Sequence, residues 1–322
     1  MDPRHLMQLA VILDKGSITA AAQTLLLTQP TLTRNMSTLE MQAGGQLFSR
    51  SRFGVRSTAL GEDLARHGRA IARQMQMSQE AVSRHRIGLH THLRLGAGPL
   101  IGMALMQPLS SAVLSERPQL SLSVTTARPQ TLIDQLSDGD YDIVLAPAVY
   151  AQVAPGITRQ LLIEDEISIF CSPQHPLAQE PQPSPEDLGA CQWMNVGTTS
   201  PFQNAELDML SRSGIQRVNT QFATVGDAVI LLQVLMEGRH LAVLPRLPMR
   251  MMQDRYPAVE LMPPQGRTRR DLYLWAREEL LGDPNFDCVR RHAQALVQAF
   301  VPPSPSPSRT KKRASRAKSD TP

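Results

Sequence analysis

Residues 17–42, SITAAAQTLLLTQPTLTRNMSTLEMQ, decide how the rest of this chain is read. They predict two helices joined by a very short turn. Ser17 is a good N-cap, and Ile18, Ala21, Ala22 and Leu25 then recur at helical spacing. Thr28 is a second N-cap candidate, with Pro30 in the first turn, where its missing N–H costs nothing. Leu32, Met36 and Leu39 form the apolar stripe of the second helix, while Pro30, Arg34, Ser37 and Thr38 fall on the opposite face. That face is short-chained, hydroxyl-rich and carries one arginine. A helix of this kind fits a DNA major groove and meets base edges with its first two turns.

The surroundings agree. Asp2-Pro3 opens a helix with Leu6, Leu9, Ala10 and Leu13 on one side, able to cover the other two. Beyond Gly44-Gly45 come Leu47-Phe48 and a basic, turn-rich segment holding Arg50, Arg52, Phe53, Gly54 and Arg56. Two short strands around that turn make a wing whose arginines lie along phosphates. The run GSITAAA from Gly16, Thr28-Gln29-Pro30, Thr33-Arg34, Leu39-Glu40, Leu47-Phe48-Ser49-Arg50, and Thr58 with Gly61 together resemble the winged helix of LysR-type transcriptional regulators. The resemblance implies a DNA-binding unit over residues 1–58. In it Gln29, Pro30, Thr31 and Arg34 reach base edges, Arg34 through guanine O6/N7. Thr28, Thr33, Arg50, Arg52 and Arg56 hold phosphates, with Ser17 and Ser37 on the same surface.

Charge is segregated along the 322 residues. Residues 1–90 hold 11 Lys/Arg against 6 Asp/Glu, residues 91–301 hold 16 against 22, and residues 302–322 hold 6 against 1. A basic head on an acidic body suits a module that approaches phosphates while the remainder stays off them. No signal peptide and no apolar run near 18 residues is present, so a soluble, cytoplasmic protein with no membrane partner is expected. Cys171, Cys191 and Cys288 are scattered without CxxC spacing, which predicts reduced thiols. His90 and His92 flank Thr91 with no further ligand nearby, so no metal site and no cofactor is expected. The GxSxG elbow, Walker loop, HExxH and dinucleotide fingerprint are all missing, which argues against an enzyme.

Residues 58–86 are continuously helix-compatible, with no proline and with Gly68 inside. Such a helix runs to ~40 Å. Leu60, Leu64, Ile71, Met75 and Val82 recur at spacings of three and four, a seam for a partner helix. The resemblance makes this the linker, residues 59–91 with a hinge at 87–91, that pairs subunits into a homodimer or homotetramer. From 92 to 301 strand-like and helix-like segments alternate in α/β fashion. Strands are expected at 93–95, 120–125, 142–145, 166–171, 193–196, 218–222, 241–244 and 272–275. Helices are expected at 100–115, 129–136, 199–212, 225–236 and 283–300. Gly139-Asp140-Tyr141-Asp142-Ile143-Val144, the 172–177 loop and Glu237-Gly238 extend the resemblance, which implies a two-lobed, periplasmic-binding-protein-like effector domain. Lobe 1 is about 92–163 with 269–301, and lobe 2 about 164–268. The fold class is therefore an N-terminal winged helix-turn-helix, a long linker helix, and a two-lobed α/β domain.

Ligands of such domains sit beyond the carboxyl ends of strands, against helix N-termini. That rule selects Gly98, Pro99, Leu100, Pro147, Thr198, Thr199, Ser200, Phe202, Thr224 and Val225 as effector-binding residues for an anionic or hydroxylated small molecule. The stretch 302–322, PPSPSPSRTKKRASRAKSDTP, cannot bury a core and is expected to be a disordered basic tail. Expected partners are double-stranded promoter DNA, a small-molecule effector and, for an activator, RNA polymerase. A solute-binding protein with no DNA role is the alternative.

Overall fold

A computed structural model of the chain describes residues 1–51, 54–86, 91–180, 182–196, 201–215 and 217–300. The expectations placed on the Arg50 side chain, on Arg52, on Thr198, Thr199 and Ser200, on most of the hinge and on the basic tail lie outside what is described.

The first helix, α1 (Pro3–Lys15), starts where the Asp2 carboxylate accepts the Arg4 N–H at 2.8 Å and stops at Gly16, left-handed with φ 62°. Ser17 caps α2 (Ile18–Thr24) by accepting the Ala20 N–H, and Thr28 caps α3 (Gln29–Ala43) by accepting the Thr31 N–H. The turn between them passes through Leu26, 93% exposed and left-handed at φ 53°, a conformation an L side chain rarely takes. Leu9, Ile12, Ala21, Leu32, Met36 and Leu39 meet in one core. Ile12 takes the fully buried place that the sequence stripe assigned to Leu13, which is half-buried together with Leu6. The Asn35 amide also donates to the Gln8 side-chain oxygen at 2.9 Å, tying α3 to α1.

The wing is the antiparallel pair β1 (Phe48–Ser51) and β2 (Gly54–Ser57). It is fastened to the helices by the Val55 N–H, which donates to the Gly16 carbonyl at 2.9 Å. Linker helix α4 (Ala59–Arg86) begins at Thr58, whose hydroxyl accepts the Gly61 N–H. It then crosses α1 so closely that a Cβ on Gly68 would lie 2.0 Å from the Leu6 carbonyl oxygen. Arg69 reinforces the crossing through Asp14 at 2.7 Å and Glu62 at 3.1 Å.

Lobe 1 opens with β3 (Thr91–Ala97). A helix follows as α5 (Pro99–Ile101), a π segment over Gly102–Met106, and α6 (Gln107–Glu116). Then come β4 (Leu120–Thr126), α7 (Pro129–Ser137), β5 (Ile143–Pro147) and β6 (Ile157–Ile163). The chain crosses to lobe 2 for β7 (Glu166–Cys171), α8 (Pro185–Ala190), β8 (Gln192–Asn195), α9 (Pro201–Arg212) and β9 (Asn219–Ala223). It continues through α10 (Ala228–Met236), β10 (His240–Pro245), α11 (Arg246–Met251), β11 (Val259–Leu261) and β12 (Thr268–Arg269). It returns as β13 (Leu272–Arg277) and α12 (Pro284–Gln298). The lobe 1 sheet has the order β4-β3-β5-β13-β6, and the lobe 2 sheet β11-β7-β10-β8-β9 with β12 also on β7. In lobe 1 β4, β3 and β5 pair in parallel and β13 runs antiparallel to β5 and β6; in lobe 2 β10, β8 and β9 pair in parallel and β7 runs antiparallel to β10, β11 and β12.

Two differences from the sequence reading have clear causes. The strand β6 was not anticipated, because only Ile157 and Leu162 of its seven residues are buried and an edge strand leaves a weak alternation. The helix expected from 225 starts instead at Ala228, because the Asp227 carboxylate accepts the N–H groups of Val229 and Ile230 at 3.0 Å each.

Lobe 1 is tied to the linker as well. Arg73 of α4 reaches the Asp138 and Asp140 carboxylates at 3.2 and 3.0 Å and donates to the Asp138 carbonyl. At the base of the same sheet Asp142 takes both Arg94 and Arg277, at 2.8 and 2.7 Å, and despite its burial they hold its carboxyl below the usual range. No described helix is long and apolar enough to cross a membrane.

The Gly68 contact has a measurable consequence. Gly68→Ala is expected to lower unfolding free energy by about 1–3 kcal/mol through overpacking against backbone, overriding the ~1 kcal/mol an alanine normally adds to a helix. Gly189→Ala in α8, where a Cβ meets nothing within 4 Å, is expected to be neutral or stabilising in the same urea titration.

Candidate nucleic-acid interface and ligand cleft

The first candidate site is the outer face of α3. The N-cap at Thr28 and the buried stripe at Leu32, Met36 and Leu39 rotate the helix so that Gln29, Pro30, Thr31, Arg34 and Ser37 are exposed. Thr33 is half-buried, as is Ser17 at the start of α2. Thr28 and Thr31 share a 2.8 Å hydroxyl contact, so their oxygens are oriented by the cap itself. Arg34 reaches no carboxylate among the described residues, and its head is open to solvent. In the wing, Arg56 is exposed and pairs in register with Ser49, and Arg50 lies opposite Val55. The face therefore offers amide, hydroxyl and guanidinium donors on a rigid element, with a strand pair beside it.

The second site is a cavity of about 270 Å³ between the lobes, large enough for a small metabolite. Of the residues selected from the sequence, Gly98, Pro99, Leu100, Pro147, Phe202, Thr224 and Val225 all line it. Three groups that strand-end reasoning did not select also reach it. One is the start of α7, from Arg128 to Asp134, signalled by the Arg128-Pro129 pair after β4. Another is Asp227, whose capping role hid in a run read as helix. The last is the pair of crossover segments joining the lobes, which carry Asp165, Arg270 and Asp271. These segments touch each other, since the Arg270 N–H donates to the Asp165 carbonyl at 2.6 Å and the Asp165 N–H to the Asp271 carboxylate at 3.3 Å.

The charged groups on the cavity wall differ in what already occupies them. Asp227 is committed to the N-terminus of α10. Asp271 takes Arg269 at 2.8 Å, and Asp134 takes the Tyr150 hydroxyl at 2.7 Å. Asp165 accepts the Leu247 N–H through both oxygens, at 3.0 and 3.2 Å, and burial pushes its carboxyl up to about 6. Arg270 lies over the Phe202 ring, 4.8 Å from its centroid, and burial lowers its guanidinium to about 10 against the opposing pull of Asp165. Apolar side chains, among them Leu100, Val196, Phe202, Val225 and Leu231, supply much of the remaining wall. Elsewhere, His92 shares a 2.6 Å hydrogen bond with Ser121 of the neighbouring strand. Cys171 and Cys288 are buried, and burial raises all three thiols.

Comparison with known proteins yields two family matches. Residues 3–62 match the bacterial regulatory helix-turn-helix protein, lysR family, and residues 86–298 match the LysR substrate binding domain. The chain is 26% identical over 178 residues to the uncharacterized HTH-type transcriptional regulator YdcI of Escherichia coli strain K12, covering 55% of this chain and 58% of that protein. It is 27% identical over 251 residues to the nitrogen assimilation regulatory protein nac of the same strain, covering 76% and 78%. With the first of these relatives the shared region thus spans little more than half of their length. Full-length CbnR in a crystal structure with its target DNA superposes with a TM-score of 0.62 at 19% identity, over 92% of this chain and 99% of that one, a likeness of fold.

The Asp227 cap shapes the cavity wall and is open to a direct test. Asp227→Ala is expected to destabilise the chain by about 1 kcal/mol, read as a lower urea midpoint with an unchanged slope.

Proposed function

Because the chain belongs to the LysR family of bacterial regulators, we propose that it is a homo-oligomeric, sequence-specific DNA-binding transcription regulator switched by a small-molecule effector. One observation carries the DNA reading. The exposed face of α3 presents Gln29, Pro30, Thr31, Arg34 and Ser37 with no internal partner for the Arg34 guanidinium among the described residues. In a major groove Arg34 reads guanine by a bidentate contact, and Gln29, Pro30 and Thr31 meet neighbouring base edges. Thr28, Thr33, Arg50 and Arg56 hold phosphates and set the register, with Ser17 beside them.

The α4 seam supports pairing of two copies. Leu60, Met75 and Val82 are 40%, 52% and 55% exposed, an apolar row that a second copy of the helix would cover. Two-fold pairing calls for a roughly two-fold-symmetric DNA site. The effector occupies the cavity between the lobes, among Gly98, Pro99, Leu100, Pro147, Phe202, Thr224 and Val225, and alters how the paired subunits are set. No cofactor and no catalytic step enters this reading. Activation would add RNA polymerase as a partner.

Binding to promoter fragments, followed by fluorescence anisotropy across a salt series, tests the assignment. Arg34→Ala is expected to cost ~1–3 kcal/mol on the specific site and to relax sequence choice at one base pair. Arg56→Ala is expected to weaken all sequences alike and to reduce the salt slope by about 1. A wild-type chain that ignores every duplex at low ionic strength would overturn the proposal.

A further inference from the structure

We infer that the cavity between the lobes is built for a monocarboxylate with an apolar body, and that Arg270 is the residue that anchors its carboxylate. The inference rests on the effector reading above and specifies the ligand's chemistry.

The charge inventory of the wall leads to Arg270. Every carboxylate facing the cavity already holds a donor: Asp227 the α10 amides, Asp271 the Arg269 guanidinium, Asp134 the Tyr150 hydroxyl and Asp165 the Leu247 amide. Asp227 takes the Val229 and Ile230 N–H groups of α10, and the start of α7 on the same wall, which has no side-chain cap, offers backbone N–H groups but no formal charge. Two guanidinium groups remain, Arg128 and Arg270, and neither has a carboxylate within ion-pair distance among the described residues. They are not equivalent. Arg128 is exposed and keeps its water. Arg270 is enclosed at the crossover, with its own amide fixed to the Asp165 carbonyl and one face covered by Phe202.

A desolvated cation whose counter-charge, Asp165, stands beyond ion-pair distance is unfavourable, and a ligand carboxylate in direct contact relieves that state. Stacking on Phe202 occupies the face of the guanidinium and leaves its N–H edge available. That edge is the fork a carboxylate meets bidentately. One enclosed cation fits one anionic group, and the Leu100, Val196, Val225 and Leu231 side chains suit a hydrocarbon or aromatic remainder. A polyanion would face four aspartates, and a neutral molecule would leave Arg270 as it is.

Isothermal titration of the full chain near neutral pH tests this with benzoate, phenylacetate and hexanoate, each against its primary amide. At least one acid is expected to bind about tenfold or more tighter than its amide. Arg270→Gln is expected to abolish that preference, Arg270→Lys to restore part of it, and Arg66→Gln on the exposed side of the linker helix to leave it unchanged. Val225→Trp, at an exposed wall position, obstructs the cavity and is expected to remove acid and amide binding together. Arg270→Gln is also expected to raise the melting temperature of the unliganded chain, an effect opposite to that of losing a structural contact. An acid preference that survives Arg270→Gln but not Val225→Trp overturns the anchor and leaves the effector cavity standing. A preference that survives both places the ligand elsewhere and overturns the cavity reading. Acids that bind no better than their amides overturn the ligand class.

Discussion

The contact between Gly68 and the Leu6 carbonyl is the constraint on which the N-terminal half depends. Two helix backbones approach to a distance that any side chain at position 68 would prevent. The linker helix thereby becomes the fourth wall of the DNA-binding core, burying Ala65 beside Leu9 and Ile12, and it ceases to be a free rod. Arg69, one residue on, adds charge contacts to Asp14 and Glu62 across the same crossing. The orientation of α3 follows from this packing. Its stripe must face α1 and α2, which leaves the Arg34 side outward.

Legibility from the sequence was uneven, and the reasons are physical. The three N-caps at Asp2, Ser17 and Thr28 and the stripe at 32, 36 and 39 act locally, so the order of residues alone reveals them. The wing follows from its glycine and its alternating neighbours. The edge strand β6 stayed hidden because exposure on one side and at one edge leaves few buried positions to form a pattern. Asp227 sits inside an apolar run, where a capping aspartate looks like an ordinary polar interruption. Leu26 carries no signal at all for its left-handed backbone.

The cavity shows the same division. Its walls at 98–100, 147, 202 and 224–225 lie at strand ends or helix starts, and a general rule of α/β sheets finds them. Its floor is made by the two crossings between lobes, at 165 and 270–271, which are close in space and more than a hundred residues apart in sequence. Nothing in the local pattern distinguishes Arg270 from Arg269 beside it. Tertiary structure separates them: the exposed Arg269 pairs with Glu164 and Asp271, while Arg270 turns inward over Phe202. Adjacent identical residues thus meet opposite dielectric surroundings.

Arg73 grips the 138–140 turn of lobe 1 only five positions beyond Gly68, where α1 crosses. Five helical positions are about 7.5 Å, less than one and a half turns. The reading head and the first lobe are therefore clamped side by side on one short, stiff section of helix, and not mounted at its two ends. Mechanically this is a common axle, with less than one and a half turns of helix between the two attachments.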